Sequence, residues 1–168
     1  SRFTYTVTAD IEQPNRLYAT THNTATGGGF VFISSDGGNT WTRPRNFDVV
    51  RVSPFGMLQD RQNPNLIYMA TNVGMFKSLD RGNSWTQIRA PKPKPVPKSK
   101  RKTPARKTLA KVAQPEPVPT PATDPLTVPA LEKRVKVLAY TEDGRNGYLA
   151  GTDEGLYRSY DIEKGWEK

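Results

Sequence analysis

Ser34-Ser35-Asp36-Gly37-Gly38-Asn39-Thr40-Trp41 is the stretch whose reading decides the fold. Two glycines, an aspartate, an indole and three hydroxyls crowd into eight positions, a composition suited to a tight turn that ends on a core residue. The pattern Ser-x-Asp-x-Gly-x-Thr/Ser-Trp returns 44 positions later as Ser78, Asp80, Gly82, Ser84 and Trp85. A looser third copy keeps Ser159, Asp161 and Trp166 in register but loses the glycine and the hydroxyl. The flanks repeat too. Asp10, Pro14, Asn15 and Tyr18 are matched by Asp60, Pro64, Asn65 and Tyr68, and residues 67–71 by 148–152. Trp85 and Trp166 stand 81 positions apart, and the 37 beyond the period nearly equal the length of one proline-rich segment. The chain therefore reads as three units of one design, with an interruption before the third.

Set between two strands, the turn has a structural reading. Asp36 accepts hydrogen bonds from its own turn, Gly38 takes the positive φ of a tight hairpin, Thr40 ties the returning strand, and Trp41 packs on the sheet. The alternative makes Asp36, Asp80 and Asp161 metal ligands or catalytic acids. Such groups must converge, whereas these sit in separate, repeat-equivalent turns, so the structural reading is preferred.

Around each turn the sequence is β-like. Residues 3–9, 17–21, 30–34 and 41–43 are rich in aromatic, β-branched and threonine side chains separated by Gly, Asn, Asp or Pro. Equivalent runs fall at 57–59, 67–71, 75–78 and 85–88, then at 134–141, 148–152, 156–159 and a stub at Trp166. No 3.6-residue period is sustained. Four short strands every ~40 to 45 residues is the pattern of a propeller blade. The predicted fold is all-β, a β-propeller fragment of about three four-stranded antiparallel blades with a disordered Pro/Lys-rich insertion. Blades are expected at 1–45, 46–90 and 130–168, with the insert at 91–129.

Charge is distributed unevenly. The whole chain has 25 Lys and Arg against 16 Asp and Glu, a net charge of +9. Residues 91–128 hold nine of those cations and two acids, so the rest is nearly neutral. The insert also carries eleven of the fifteen prolines and no aromatic residue. Proline fixes φ and removes a donor, which predicts a polyproline-like, disordered loop leaving and re-entering the same fold. Its cations Lys98, Lys100, Arg101, Lys102, Arg106 and Lys107 form the candidate anion-binding tract, suited to a nonspecific anionic partner. With no aromatic platform it offers no base readout, and a solvated spacer is the competing reading.

The turn resembles the Asp-box, or BNR repeat, of sialidases, sortilin-type receptors, xyloglucan-active glycoside hydrolases and photosystem II assembly-factor propellers. The resemblance covers the chain outside the insert, and the period lies closer to the sortilin, xyloglucanase and assembly-factor branch. It implies a propeller in which the box locks a hairpin away from any active site. It therefore implies a recognition or assembly scaffold, or else a fragment of a glycoside hydrolase. The expected partners are further propeller blades of a longer chain and a protein or carbohydrate ligand on the ring face. The expected location is secreted or the cell envelope.

The sequence offers little obvious chemistry. The chain lacks cysteine, so thiolate sites are excluded, and no apolar run approaches the ~18 to 20 residues of a membrane span. It starts at Ser1 without a signal-type segment, which suggests excision from something longer. No arginine segment of the sialidase kind is present, and Arg43-Pro44-Arg45 is a poor substitute. Asp10, Asp48, Asp60, Glu142 and Asp143 are the loop carboxylates, but no spacing singles out a hydrolytic pair. His22 is the sole histidine and has no co-ligand. Gly27-Gly28-Gly29 lacks the lysine and helix of a phosphate loop. No cofactor, metal site or catalytic residue is expected.

Overall fold

In the computed structural model, residues 2–23, 27–47, 51–91 and 127–168 are described. They form three antiparallel sheets and no helix. The first sheet is β1 (Arg2–Ala9), β2 (Leu17–Asn23) and β3 (Gly28–Ser34). The second is β4 (Pro54–Gln59), β5 (Ile67–Thr71), β6 (Gly74–Ser78) and β7 (Thr86–Gln87). Two residues at the end of the expected 91–129 insert, β8 (Thr127–Val128), are not disordered but join the outer edge of the third sheet, pairing with the strand that begins at Trp166. The other strands of that sheet are β9 (Val135–Tyr140), β10 (Tyr148–Thr152), β11 (Gly155–Ser159) and β12 (Trp166–Glu167). In the first two sheets the strands run in sequence order, in the third β9 to β12 do so while β8 pairs beyond β12, and β4 touches both β1 and β9.

The first sheet lacks a full fourth strand, and proline explains it. Thr42 exchanges both backbone bonds with Ile33 at 2.8 Å, an isolated bridge. Two residues later the second sheet gains another bond, Ile88 N–H to Met75 O at 2.9 Å. The residue matching Ile88 is Pro44, which has no N–H to give.

The sheets stack through alternate residues. Tyr18, Val31 and Ile33 of the first sheet bury against Ile67, Met69, Phe76 and Trp85 of the second. On its opposite face the second sheet meets the third, with Tyr68, Ala70 and Met75 against Tyr148, Ala150, Tyr157 and Trp166. Ile67, Met69, Phe76 and Trp85 match Tyr148, Ala150, Tyr157 and Trp166 in the repeat, so both interfaces follow one plan. The linker of the first unit contributes as well. Phe47 packs edge-on to Phe76 and Trp85, and the Asn46 amide brackets the Trp85 backbone, donating to its O (2.9 Å) and accepting from its N–H (2.7 Å).

Trp85 and Trp166 are 4% and 0% exposed, whereas Trp41 is 38% exposed. All three were expected to pack on a sheet. Trp41 belongs to the face of the first sheet that no described sheet covers, and its indole N–H donates to Gly38 O at 2.9 Å. Residues 92–126, most of the expected insert, lie outside the described residues. Its flanks are joined by Ala90 N–H donating to Glu132 Oε1 at 2.7 Å.

Burial differences of this size predict unequal stability effects. Trp85→Ala should cost about 3 to 5 kcal/mol in urea unfolding, the usual loss for a large buried aromatic, and Trp41→Ala less than half of that. Equal losses would contradict the stacking.

Candidate functional site

In each unit the turn after the first long strand and the turn after the third lie at one end of the sheet, because those strands (β1 and β3, β4 and β6, β9 and β11) run in the same direction. The first two tight turns match bond for bond. Asp36 Oδ1 accepts from Thr40 N–H (2.9 Å) and Ser34 Oγ (2.8 Å), and Oδ2 accepts from Thr40 Oγ1 (2.6 Å). Asp80 makes the same three bonds with Ser84 N–H (2.8 Å), Ser78 Oγ (2.8 Å) and Ser84 Oγ (2.7 Å). Ser34 and Ser78 Oγ accept from the N–H of Gly38 and Gly82, at 2.9 and 2.8 Å. Those glycines have φ of 95° and 84°, which a side chain would strain. The hydroxyl and amide of Thr40, with the Ser34 hydroxyl, hold the Asp36 carboxyl at about 2.

The third turn closes differently. Glu163 cannot take the positive φ cheaply, and Gly165 adopts it instead at 126°. Ser159 Oγ donates to Gly165 O at 2.6 Å, while Asp161 accepts from Glu163 N–H (3.1 Å) and pairs with Lys164 (2.9 Å). The carboxylate no longer reaches the returning strand.

Asp10 is the hub between the first two sheets, and its side chain is fully buried. It accepts from Glu12 and Gln13 N–H (3.0 Å each), Tyr18 Oη (2.7 Å), Gln59 Nε2 (2.8 Å) and Arg81 Nη1 (2.8 Å). Gln59 and Arg81 belong to the second unit. Burial pushes its carboxyl up, but the bonds from Tyr18, Glu12, Gln59 and Gln13 outweigh that and bring it to about 2. Arg81 also pairs with Glu12, donates to Asn65 Oδ1 (3.1 Å) and accepts from Arg16 at its own O (2.7 Å).

At the matching junction of the second and third sheets the donors are different residues. Tyr140 follows the place of Gln59, and Ile162 that of Arg81. Asp60 keeps its two turn amides, Gln62 (2.8 Å) and Asn63 (2.7 Å), and accepts the Tyr148 hydroxyl. A cleft of about 250 Å³ opens here, lined by Asp60, Tyr68, Tyr140, Tyr148, Tyr160 and Arg61 among others. Arg61 lies 4.0 Å from the Tyr140 ring centre and pairs with Glu142 at 2.9 Å. Burial, followed by the Asp60 charge, pushes the Tyr68 phenol up to about 12. Thr141 stands where Asp10 and Asp60 do, and the carboxylate is displaced to Asp143. That group accepts from Thr141 Oγ1 (2.8 Å), Arg145 N–H (3.1 Å) and the Tyr160 hydroxyl (2.5 Å), and is held at about 2, chiefly by Tyr160 and then Thr141.

The loop carboxylates considered from sequence are therefore spread over these separate roles. Asp10 is a buried hub, Asp60 lines the cleft, Glu142 pairs with Arg61 and Asp143 caps its own loop. Asp48 and the tract Lys98, Lys100, Arg101, Lys102, Arg106 and Lys107 lie outside the described residues. The His22 ring rests 5.6 Å from Phe3, and its Nδ1 is buried without a partner among the described residues. No group of three or more His, Cys, Asp or Glu able to hold a metal ion occurs among the described residues. The inter-sheet roles of Gln59 and Arg81 and the tyrosine-walled cleft were not read from the sequence. The available clue was the change from Arg81 to Ile162 at one repeat position.

No protein-family model matches the chain. A curated protein, "Probable oligoxyloglucan-reducing end-specific xyloglucanase" of Neosartorya fischeri, is 33% identical over 100 residues, 51% of this chain and 11% of that protein. The chain thus corresponds to about a tenth of that relative. Among solved structures, an ancestral GH74 enzyme aligns at TM-score 0.58 and 13% identity, covering 98% of this chain and 18% of that one. The Niastella koreensis GH74 enzyme aligns at TM-score 0.54 and 16% identity, covering 97% and 22%. YCF48 bound to D1 peptide aligns at 0.49 and 16%, covering 99% and 43%. With three stacked antiparallel sheets, the first two likenesses show the fold to be a β-propeller fragment. Among the described residues no helix is long and apolar enough to cross a membrane.

Two outcomes follow from the hydrogen bonds. Arg81→Ala should lower the urea midpoint more than Arg61→Ala, because Asp10 is fully buried whereas Glu142 is 76% exposed. A cycle with Asp10→Asn should reveal coupling, and additive losses would contradict the lock. The second outcome concerns acid. Asp10, Asp36 and Asp143 sit at about 2 against an ordinary 3.8, so in acid the unfolded chain takes up protons first. Their stabilisation is complete above the ordinary value and fades as pH falls from about 4 to 2. The urea midpoint should drop through that window, less steeply in Asp36→Asn, and an unchanged slope would refute the assignment.

Proposed function

We propose that this chain is part of an Asp-box repeat propeller whose role is recognition or assembly rather than catalysis. The turns built on Ser34, Asp36, Gly38, Thr40, Trp41 and on Ser78, Asp80, Gly82, Ser84, Trp85 are its two regular boxes. Ser159, Asp161 and Trp166 form the degenerate third. One observation carries this reading: Asp36 and Asp80 spend both carboxylate oxygens on closing their own hairpins, with the same three bonds in each. Asp10 is likewise committed to holding two sheets together. The uncovered face of the first sheet, carrying Trp41, supports a further blade of a longer chain there. A protein or carbohydrate would be held by loops of the ring face, in a secreted or envelope protein. The 91–129 segment would serve as a spacer or a nonspecific anion tether.

A second reading is favoured by the 33% identity over 100 residues to the xyloglucanase. It makes the chain a piece of a carbohydrate-active hydrolase whose catalytic carboxylates lie elsewhere. Assay of the full-length protein for reducing-end release from xyloglucan oligosaccharides separates the two. The scaffold reading expects no turnover. Hydrolysis abolished by replacing one loop carboxylate would overturn it.

A further inference from the structure

The repeat supplies an internal comparison between two junctions that share one plan but are filled differently. At the first junction Asp10 accepts five hydrogen bonds among the described residues, two of them from the next sheet's Gln59 side-chain amide and Arg81 guanidinium. At the second, Asp60 accepts three. The residue at the position of Arg81 is Ile162, which turns into the core at 2% exposure. The residue at the position of Gln59 is Tyr140, whose hydroxyl is buried with no partner among the described residues. The space filled by a guanidinium at the first junction is at the second a cleft of about 250 Å³, walled by four tyrosines.

We propose that this cleft binds a guanidinium-bearing ligand, with Asp60 as its carboxylate partner and the Tyr68 and Tyr148 rings as its walls. The two cations that line the cleft already cover two of its rings: Arg61 lies 4.0 Å from the Tyr140 ring centre and pairs with Glu142 (2.9 Å), and Arg145 lies 4.7 Å from the Tyr160 ring centre and 4.0 Å from Asp143. Neither pairs with Asp60, and the Tyr68 and Tyr148 rings carry no cation among the described residues. Among the described residues Asp60 has no ion-pair partner. A guanidinium suits the site because its planar face stacks on phenol rings while its edge forks onto a carboxylate. Arg81 and Asp10 make such a pair one junction away. The same chemistry belongs to an arginine side chain of a partner protein and to a free small guanidinium.

Titration of the isotopically labelled full chain by NMR tests this, reading the amides of Gln62, Asn146 and Tyr148. The probes are N-acetyl-arginine methylamide, methylguanidinium, N-acetyl-citrulline methylamide and N-acetyl-glutamate. Saturable shifts are expected with the guanidinium probes alone. Tighter binding of the arginine derivative assigns the site to a peptide, and equal binding to a small molecule. Asp60→Asn should weaken binding about tenfold or more, as loss of a charge-assisted bond does, and Ile162→Arg should abolish it by filling the cleft from within. No saturable shift, equal binding of citrulline, or binding of the glutamate derivative instead would overturn the proposal. The citrulline comparison uses the unaltered chain, so it stands even where a variant fails to fold.

Discussion

Trp85 and Trp166 are held almost wholly out of water between neighbouring sheets, and the rest of the architecture depends on that burial. A few short antiparallel strands are marginal alone. These become stable by covering both apolar faces of the middle sheet, one against each neighbour. In each unit the turn that closes the hairpin also sets the indole where the chain returns to pair with the preceding strand. The carboxylate latch at Asp80 and the buried ring at Trp85 are thus two ends of one device. The latch fixes where the strand returns, and the ring makes that return contribute to the interface.

The same scaffold tolerates two solutions at its sheet junctions. Between the first and second sheets a buried carboxylate meets an arginine and a side-chain amide, a lock whose members are costly to remove singly. Between the second and third, the arginine position has become Ile162, which joins the hydrophobic cluster, and the amide position has become Tyr140. The carboxylate of the third unit has moved from position 141 to Asp143, where Thr141 and Tyr160 satisfy it. Apolar packing carries this junction, and its polar rim is left open.

Local rules made much of the fold legible. Gly38 and Gly82 had to sit at positive φ, Asp36 and Asp80 had to accept from their own turns, and a period of 44 residues placed equivalent strands in equivalent sheets. The shortened fourth strand of the first sheet was not anticipated, although Pro44 causes it through the N–H that it lacks. What stayed hidden depends on residues brought together only by stacking. Asp10 and Arg81 are 71 positions apart, and Tyr148 meets Asp60 across 88. No local pattern predicts those pairs, although the exchange of arginine for isoleucine at one repeat position marks where the junctions diverge. The exposure of Trp41 was hidden for a related reason: the motif places the ring, but a neighbouring sheet is needed to bury it.

Acrylamide quenching of three single-tryptophan variants, each with the other two indoles replaced by phenylalanine, tests the stacking most directly. The account predicts blue-shifted, protected emission from Trp85 and Trp166 and red-shifted, readily quenched emission from Trp41. Equal quenching of all three in folded protein would contradict it.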